Sequence, residues 1–210
     1  MFELDWERSM RRGRTARPRN VRWMELPPAR QALQIAPMRN EARILGLDPG
    51  SLMTGYAVIE CRGADSSYVT SGVIKTKGAS LPLRLQEIFT HVSRLMSEHH
   101  PDEVAIERIF VHRNADSALK LGQARGAALC ATFHGGAQVY EYAPREVKLA
   151  VVGAGSAQKE QVQLMVKQLL RLTQTLGADA ADALAIALCH AHSRRLTNLL
   201  ARAANLETAS

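Results

Sequence analysis

The chain should fold as a mixed α/β domain, a five-stranded sheet flanked by helices, and three features of the sequence lead there. Apolar runs and amphipathic stretches follow one another in the order β-β-β-α-β-α-β-α-α. Two apolar runs end on acids, Ile44-Leu45-Gly46-Leu47 on Asp48 and Val104-Ala105-Ile106 on Glu107, as strands do when their tips carry chemistry. The 210 residues are 46% hydrophobic, which suits one globular core and leaves little room for a second.

Arg43 to Leu47 reads as a strand and Pro49-Gly50 as a turn, with Tyr56 to Cys61 and Tyr68 to Thr76 completing a three-stranded antiparallel meander. Leu81, Leu85, Ile88, Val92 and Leu95 recur at helical spacing until His99-His100 precede Pro101. Asp102 to Ile109 reads as a strand followed by a loop, Ser117 to Phe133 as a helix, and Val139 to Tyr142 as the fifth strand. Pro144 opens a short helix, Ser156 caps one running to about Leu172, and the last helix begins near Asp179. Gly122 and Gly126, four apart in the helix after the fourth strand, suit close helix packing or a dimer contact.

Composition excludes several classes. No apolar run approaches the roughly 20 residues of a membrane span. Cys61, Cys130 and Cys189 are odd in number, far apart and without Cys-x-x-Cys spacing, which predicts reduced thiols in a cytoplasmic protein rather than disulfides or zinc. The net charge of +7 is divided unevenly: residues 1–43 hold ten arginines and five acids, and residues 44–210 hold 17 basic and 15 acidic residues. Four of those fifteen acids form the cluster described next, so the rest of the body is basic, as a binder of phosphate backbones should be. Pro18, Pro27, Pro28 and Pro37 punctuate residues 1–41, which show no convincing periodicity and read as a disordered basic extension. Two readings of it stand, a basic arm that adds nonspecific DNA affinity and a translation start at Met38. The domain proper is expected over residues 42–193, with 194–210 as a helical or flexible tail.

Asp48, Glu107, Asp179 and Asp182 are the candidate catalytic and metal-ligating residues. An acid at the end of a hydrophobic strand loses hydration and repels its neighbours, so two such strand ends and a helix face make sense together if they share cations. Asp179 and Asp182 are three apart and share a helix face, about 5–6 Å between Cβ atoms. Oxygen-only ligands suit Mg²⁺, with Mn²⁺ as the substitute, and two ions about 3.5–4 Å apart would serve phosphodiester hydrolysis. Taken singly, each acid could instead cap a turn or end a strand in solvent. Gly153-Ala154-Gly155-Ser156 leads into a helix start where unpaired N–H groups favour a phosphate, with Lys159 close behind, although glycines before a serine cap also begin ordinary helices. Phe110 follows the fourth strand among Arg108, His112 and Arg113, a set suited to stacking on an unpaired base beside backbone-binding cations; a Phe folded back into the core is the competing reading. His190, eight residues past Asp182, reads as a satisfied or surface histidine.

The segments ILGLDPGSLMTGY (44–56), AIERIF (105–110), NADSALKLGQARG (114–126), VKLAVVGAGSAQKEQV (147–162) and ADAADALAIA (178–187) resemble the RuvC family of bacterial Holliday junction resolvases, in the family's order and close to its spacing. The resemblance implies a ribonuclease H-like fold with Asp48, Glu107, Asp179 and Asp182 as the catalytic acids. It also implies a homodimer that cuts two strands of four-way junction DNA and works with the RuvA–RuvB branch-migration complex. It raises Lys148 and Lys159 to DNA-contacting or site-supporting lysines and Phe110 to a wedge at the junction centre. Arg108 departs from relatives that often carry a neutral Gln there, which puts sequence preference in doubt and leaves the metal ligands untouched. Two rival classes are weaker: actin-like ATPases and sugar kinases share the Asp-Pro-Gly turn but need two lobes, and a noncatalytic junction-binding scaffold would normally have lost one of the acids.

Overall fold

The computed structural model describes residues 39–108 and 115–207. The expectations for residues 1–38 and for Phe110, His112 and Arg113 lie outside these residues. Five strands form one sheet: β1 (Glu41–Asp48), β2 (Met53–Arg62), β3 (Asp65–Lys75), β4 (Glu103–Glu107) and β5 (Gln138–Tyr142), in the order β3-β2-β1-β4-β5. β1, β2 and β3 are antiparallel neighbours, whereas β4 and β5 run parallel to β1. Parallel strands send their carboxyl ends to the same edge, so Asp48 and Glu107 finish side by side, where ligand crevices of α/β sheets lie.

Period-two alternation splits β1 between two cores. Leu45 and Leu47 join Val58, Val104 and Ile106 under α1 (Leu81–His99) and α2 (Ala115–Thr132). Ile44 joins Ala57, Ile59 and Ala105 under α3 (Pro144–Val152), α4 (Lys159–Leu169) and α5 (Ala178–Glu207). α1 ends where His100 turns left-handed at φ 45° before Pro101, and the α1 residues facing the core are Ile88, Val92, Leu95 and Met96.

Several boundaries differ from expectation, each for a local reason. Ser156 does not cap a helix. The Ala157 N–H bonds back to the Ala154 carbonyl and the Ala157 side chain is buried, so the chain spends a turn entering the core before α4 starts behind Gln158. The Gln161 side chain caps that end by accepting from the Gln158 N–H at 2.8 Å. α4 stops before Leu172 because Arg171 adopts φ 53°. β4 ends at Glu107, short of Ile109. Of the helical or flexible tail expected after residue 193, the part up to Glu207 is helical, a continuation of α5 that buries Arg194.

α5 lies directly on strand backbone. A Cβ at Gly46 would stand 2.3 Å from the Ala183 carbonyl oxygen and 2.9 Å from the Ala187 methyl, and one at Gly55 would stand 2.1 Å from the Asp179 carbonyl oxygen. Both positions therefore require glycine for close approach. Gly46→Val should push α5 off β1 and destabilise the fold by about 1–3 kcal/mol or more. Denaturant unfolding measures this, and an unchanged midpoint would show that the helix is not seated there.

Candidate active site

The site is built from two strand tips and one helix start. Asp48 pairs across the sheet with Gly55, the residue on which the Asp179 backbone rests, so the close approach at Gly55 brings Asp179 beside Asp48. Leu47 registers with Ile106, which sets Glu107 next to Asp48 on the other side, and Glu107 registers in turn with Tyr142 of β5. The turn after Asp48 is closed by the buried Thr54, whose hydroxyl donates to the Gly50 carbonyl at 2.9 Å. Asp182, one turn along α5 from Asp179, faces a cavity of about 210 Å³ that Asp48, Glu107, Lys148 and Lys159 also line, over an apolar floor that includes Val147 and Ile186. Asp179 stands outside that lining. Two clefts of about 670 and 750 Å³, at the opposite end of β1 and beside the β2–β3 hairpin, contain none of the four acids.

The electrostatics record the crowding. Burial first, then the charges of Glu107, Asp182 and Asp179, push the Asp48 carboxyl up to about 7, against the pull of Lys159. Burial and Asp182 also raise Glu107, with Lys159 and Lys148 opposing. Lys159 bonds Asp182 at 2.5 Å, and that bond together with the charges of Asp182, Asp179 and Asp48 holds its ammonium above the ordinary lysine range despite partial burial. Asp48 is the group on which the other three acids all act. Among the described residues no three acidic, histidine or cysteine side chains are already drawn together as a closed ligand set. The donor chemistry nonetheless fits a hard cation, being all oxygen, mutually repelling and already answered by one ammonium.

Of the other expected contacts, Lys148 and Lys159 are in the cavity wall and Ser156 is exposed in the turn before α4. Arg108 is exposed and bonded to Glu146 at 2.6 Å, and Glu146 also accepts from the Ala143 N–H, capping α3. Phe110 and Arg113 lie outside the described residues. The structure adds Arg125 of α2, which donates to the Glu107 carbonyl at 3.1 Å and pairs with Glu141 at 2.7 Å. Arg125 lies in the 114–126 segment quoted above, though nothing there marks it as a partner of Glu107, and no periodicity or motif singles out Glu141. His190 is satisfied and fully buried, bonded to Glu103 and Tyr142. An acid opening a buried strand, four residues before Glu107, was the available signal for Glu103.

The model of the crossover junction endodeoxyribonuclease RuvC family matches residues 44–190, a span that holds all four acids. The chain belongs to the RuvC family. It is 53% identical over 167 residues to a crossover junction endodeoxyribonuclease RuvC of Shewanella pealeana, covering 80% of this chain and 96% of that one. Thermus thermophilus RuvC superposes with a TM-score of 0.68 at 37% identity, covering 74% of this chain and 97% of that one. The same protein in complex with a Holliday junction substrate gives 0.70 at 36% identity, covering 75% and 97%. The mixed five-stranded sheet flanked by helices is thus the ribonuclease H-like fold of RuvC structures.

One pH dependence follows from Asp48. Its carboxyl titrates near 3.8 when the chain is unfolded and near 7 when folded, so across that window the native state holds the proton more tightly. The stability this contributes is fully present below 3.8 and is lost as pH rises through 7, by at most about 4 kcal/mol. Calorimetry on metal-free protein should show the midpoint falling over that range, and Asp48→Asn should flatten the slope. A wild-type midpoint that rises from pH 5 to 7 would contradict the crowding.

Proposed function

We propose that Asp48, Glu107, Asp179 and Asp182 of this endonuclease hold two Mg²⁺ ions, with Mn²⁺ able to replace them, and so carry the cutting of DNA junctions. The chain is a crossover junction endodeoxyribonuclease, a nuclease of DNA recombination that resolves Holliday junctions by nicking two opposing strands. What supports the metal reading is a single observation: four carboxylates stand at one edge of the sheet, and the one at the centre is raised to about 7 by burial and by the other three. Such an arrangement costs stability unless cations join it.

Asp48, which feels all three other acids, would hold the ions together with Glu107 and the α5 pair Asp179 and Asp182. When bound, the two ions supply Lewis acidity for generating the attacking hydroxide, aligning the phosphate and steadying the departing oxyanion. Lys159 balances the charge of Asp182 and would offer its ammonium to a substrate phosphate at the cavity wall. Lys148 keeps positive charge beside Glu107. Phe110, three residues past Glu107, would stack on an unpaired base at the crossover, with Arg113 and the Ser156 turn on flanking phosphates. Arg108 would join them after leaving Glu146.

A homodimer fits a reaction in which two strands are cut symmetrically. Its natural face is α2, where Leu119 is 68% exposed and nothing lies within 4 Å of a Cβ placed at Gly122 or Gly126. Those glycines therefore pack no helix of their own chain among the described residues. No helix among the described residues is long and apolar enough to cross a membrane. A cytoplasmic setting and cooperation with RuvA and RuvB complete the proposal.

Incubation with a synthetic four-way junction and Mg²⁺ beside a linear duplex tests this function. Paired symmetric nicks confined to the junction are expected. Asp48→Asn, Glu107→Gln, Asp179→Asn or Asp182→Asn should each lower the cleavage rate by about a thousandfold or more and leave junction binding intact, since the amides keep shape and lose the charge that holds the ions. Normal turnover by Glu107→Gln would remove it from the metal site.

A further inference from the structure

Outside the cavity, the described residues contain one buried cluster of titratable side chains that the nuclease chemistry does not use. Glu103 opens β4 at 8% exposure, His190 and Arg194 stand a turn apart on α5 at 1% and 4%, and Tyr142 closes β5. His190 Nε2 and a Glu103 carboxylate oxygen are 2.7 Å apart, and Arg194 pairs with that same oxygen at 2.5 Å. His190 Nδ1 lies 2.6 Å from the Tyr142 hydroxyl. One arrangement of protons serves His190, Glu103 and Tyr142 together, in which Nε2–H donates to Glu103 and Nδ1 accepts from Tyr142, while Arg194 adds its charge and donates to the Arg39 carbonyl at 2.9 Å. Burial alone would raise the Glu103 carboxyl, yet the bond from His190 and the charges around it hold it below the usual carboxylate range. Burial keeps the Tyr142 phenol protonated, pushed up to about 12.

The position of this cluster matters more than its charge. β4 carries Glu103 at one end and Glu107 at the other, four residues apart, about 13 Å along a strand. α5 runs the opposite way with Asp182 and His190 eight residues apart, about 12 Å along a helix. The two lengths match, so a helix pinned with His190 on Glu103 delivers Asp182 to the level of Glu107. Between the pins the contact is backbone-close and smooth: Gly46 lies under Ala183 and Ala187, and Ala105 stands midway along β4. Small residues permit that approach, but they offer little resistance to the helix sliding along its axis. Hydrogen bonds to a buried charge are directional and short, and leaving one unmade is costly. Tyr142 registers beside Glu107 in the sheet while its hydroxyl reaches His190, tying the cluster to the strand tip itself.

We propose that Glu103, His190, Arg194 and Tyr142 form a positioning clamp that sets the axial register of α5 on β4, and thereby the spacing of Asp179 and Asp182 from Asp48 and Glu107 on which cation affinity depends. The proposal rests on the metal-site reading above. Groups that orient metal ligands from behind commonly change affinity by about 10–100-fold when altered.

Mn²⁺ binding to full-length protein, followed by the loss of the free-ion electron paramagnetic resonance signal, tests the clamp without relying on turnover. Tyr142→Phe and Glu103→Gln should each weaken Mn²⁺ binding by about tenfold or more. Val92→Ala, a cavity under α1 on the far side of the sheet, serves as the control for lost stability alone and should leave Mn²⁺ affinity within about twofold. Metal-free affinity for a four-way junction should be the same in all of them. If Glu103→Gln fails to fold, the milder Tyr142→Phe decides. Wild-type Mn²⁺ affinity in Tyr142→Phe overturns the clamp, as does an equal loss in Val92→Ala. Failure of the wild-type protein to bind Mn²⁺ at all overturns the metal-site reading instead.

Discussion

Everything at the acidic edge of the sheet depends on how closely α5 lies on β1 and β2. Gly46 and Gly55 remove the Cβ atoms that would hold the helix away, so the carbonyls of Ala183 and Asp179 rest on strand backbone. A bulkier residue at either position would lift the helix start, and with it Asp179 and Asp182, away from Asp48. The interior there is close-packed, so such a displacement would be passed on rather than absorbed. The alanines of α5 serve the same end from the helix side: Ala180, Ala181, Ala183, Ala185 and Ala187 are all buried and add little bulk.

That closeness has an electrostatic consequence. Four carboxylates share one edge, and the middle one is pushed up to about 7 by burial and by its neighbours. The protein offsets part of the repulsion with Lys159, bonded to Asp182, and with Lys148 beside Glu107. Elsewhere among the described residues acids meet cations, as Glu146 meets Arg108, Glu141 meets Arg125, and Glu103 meets both His190 and Arg194. At the acidic edge four carboxylates share two lysines, and incomplete pairing of buried like charges is a common mark of a functional site.

Much of this is legible in the sequence. The acids stand out because Asp48 and Glu107 end apolar runs and Asp179 and Asp182 share a helix face, and those signals are local. Strand order and register cannot be read from periodicity, yet they make Asp48 and Glu107 neighbours. Helix starts were less legible: Ser156 looks like a cap, but burial of Ala157 overrides it and α4 begins behind Gln158. α5 runs on past residue 193, where Arg194 is buried and paired with Glu103 from a distant part of the chain. The Glu103–His190–Tyr142 contacts join residues 87 and 48 positions apart, beyond the reach of any pattern along the chain.

The most direct measurement is the anomalous scattering of a crystal of this protein equilibrated with Mn²⁺. Two peaks about 3.5–4 Å apart are predicted, held among Asp48, Glu107 and the α5 acids. Full-occupancy Mn²⁺ elsewhere on the molecule, with the four carboxylates bare, would contradict the site described here.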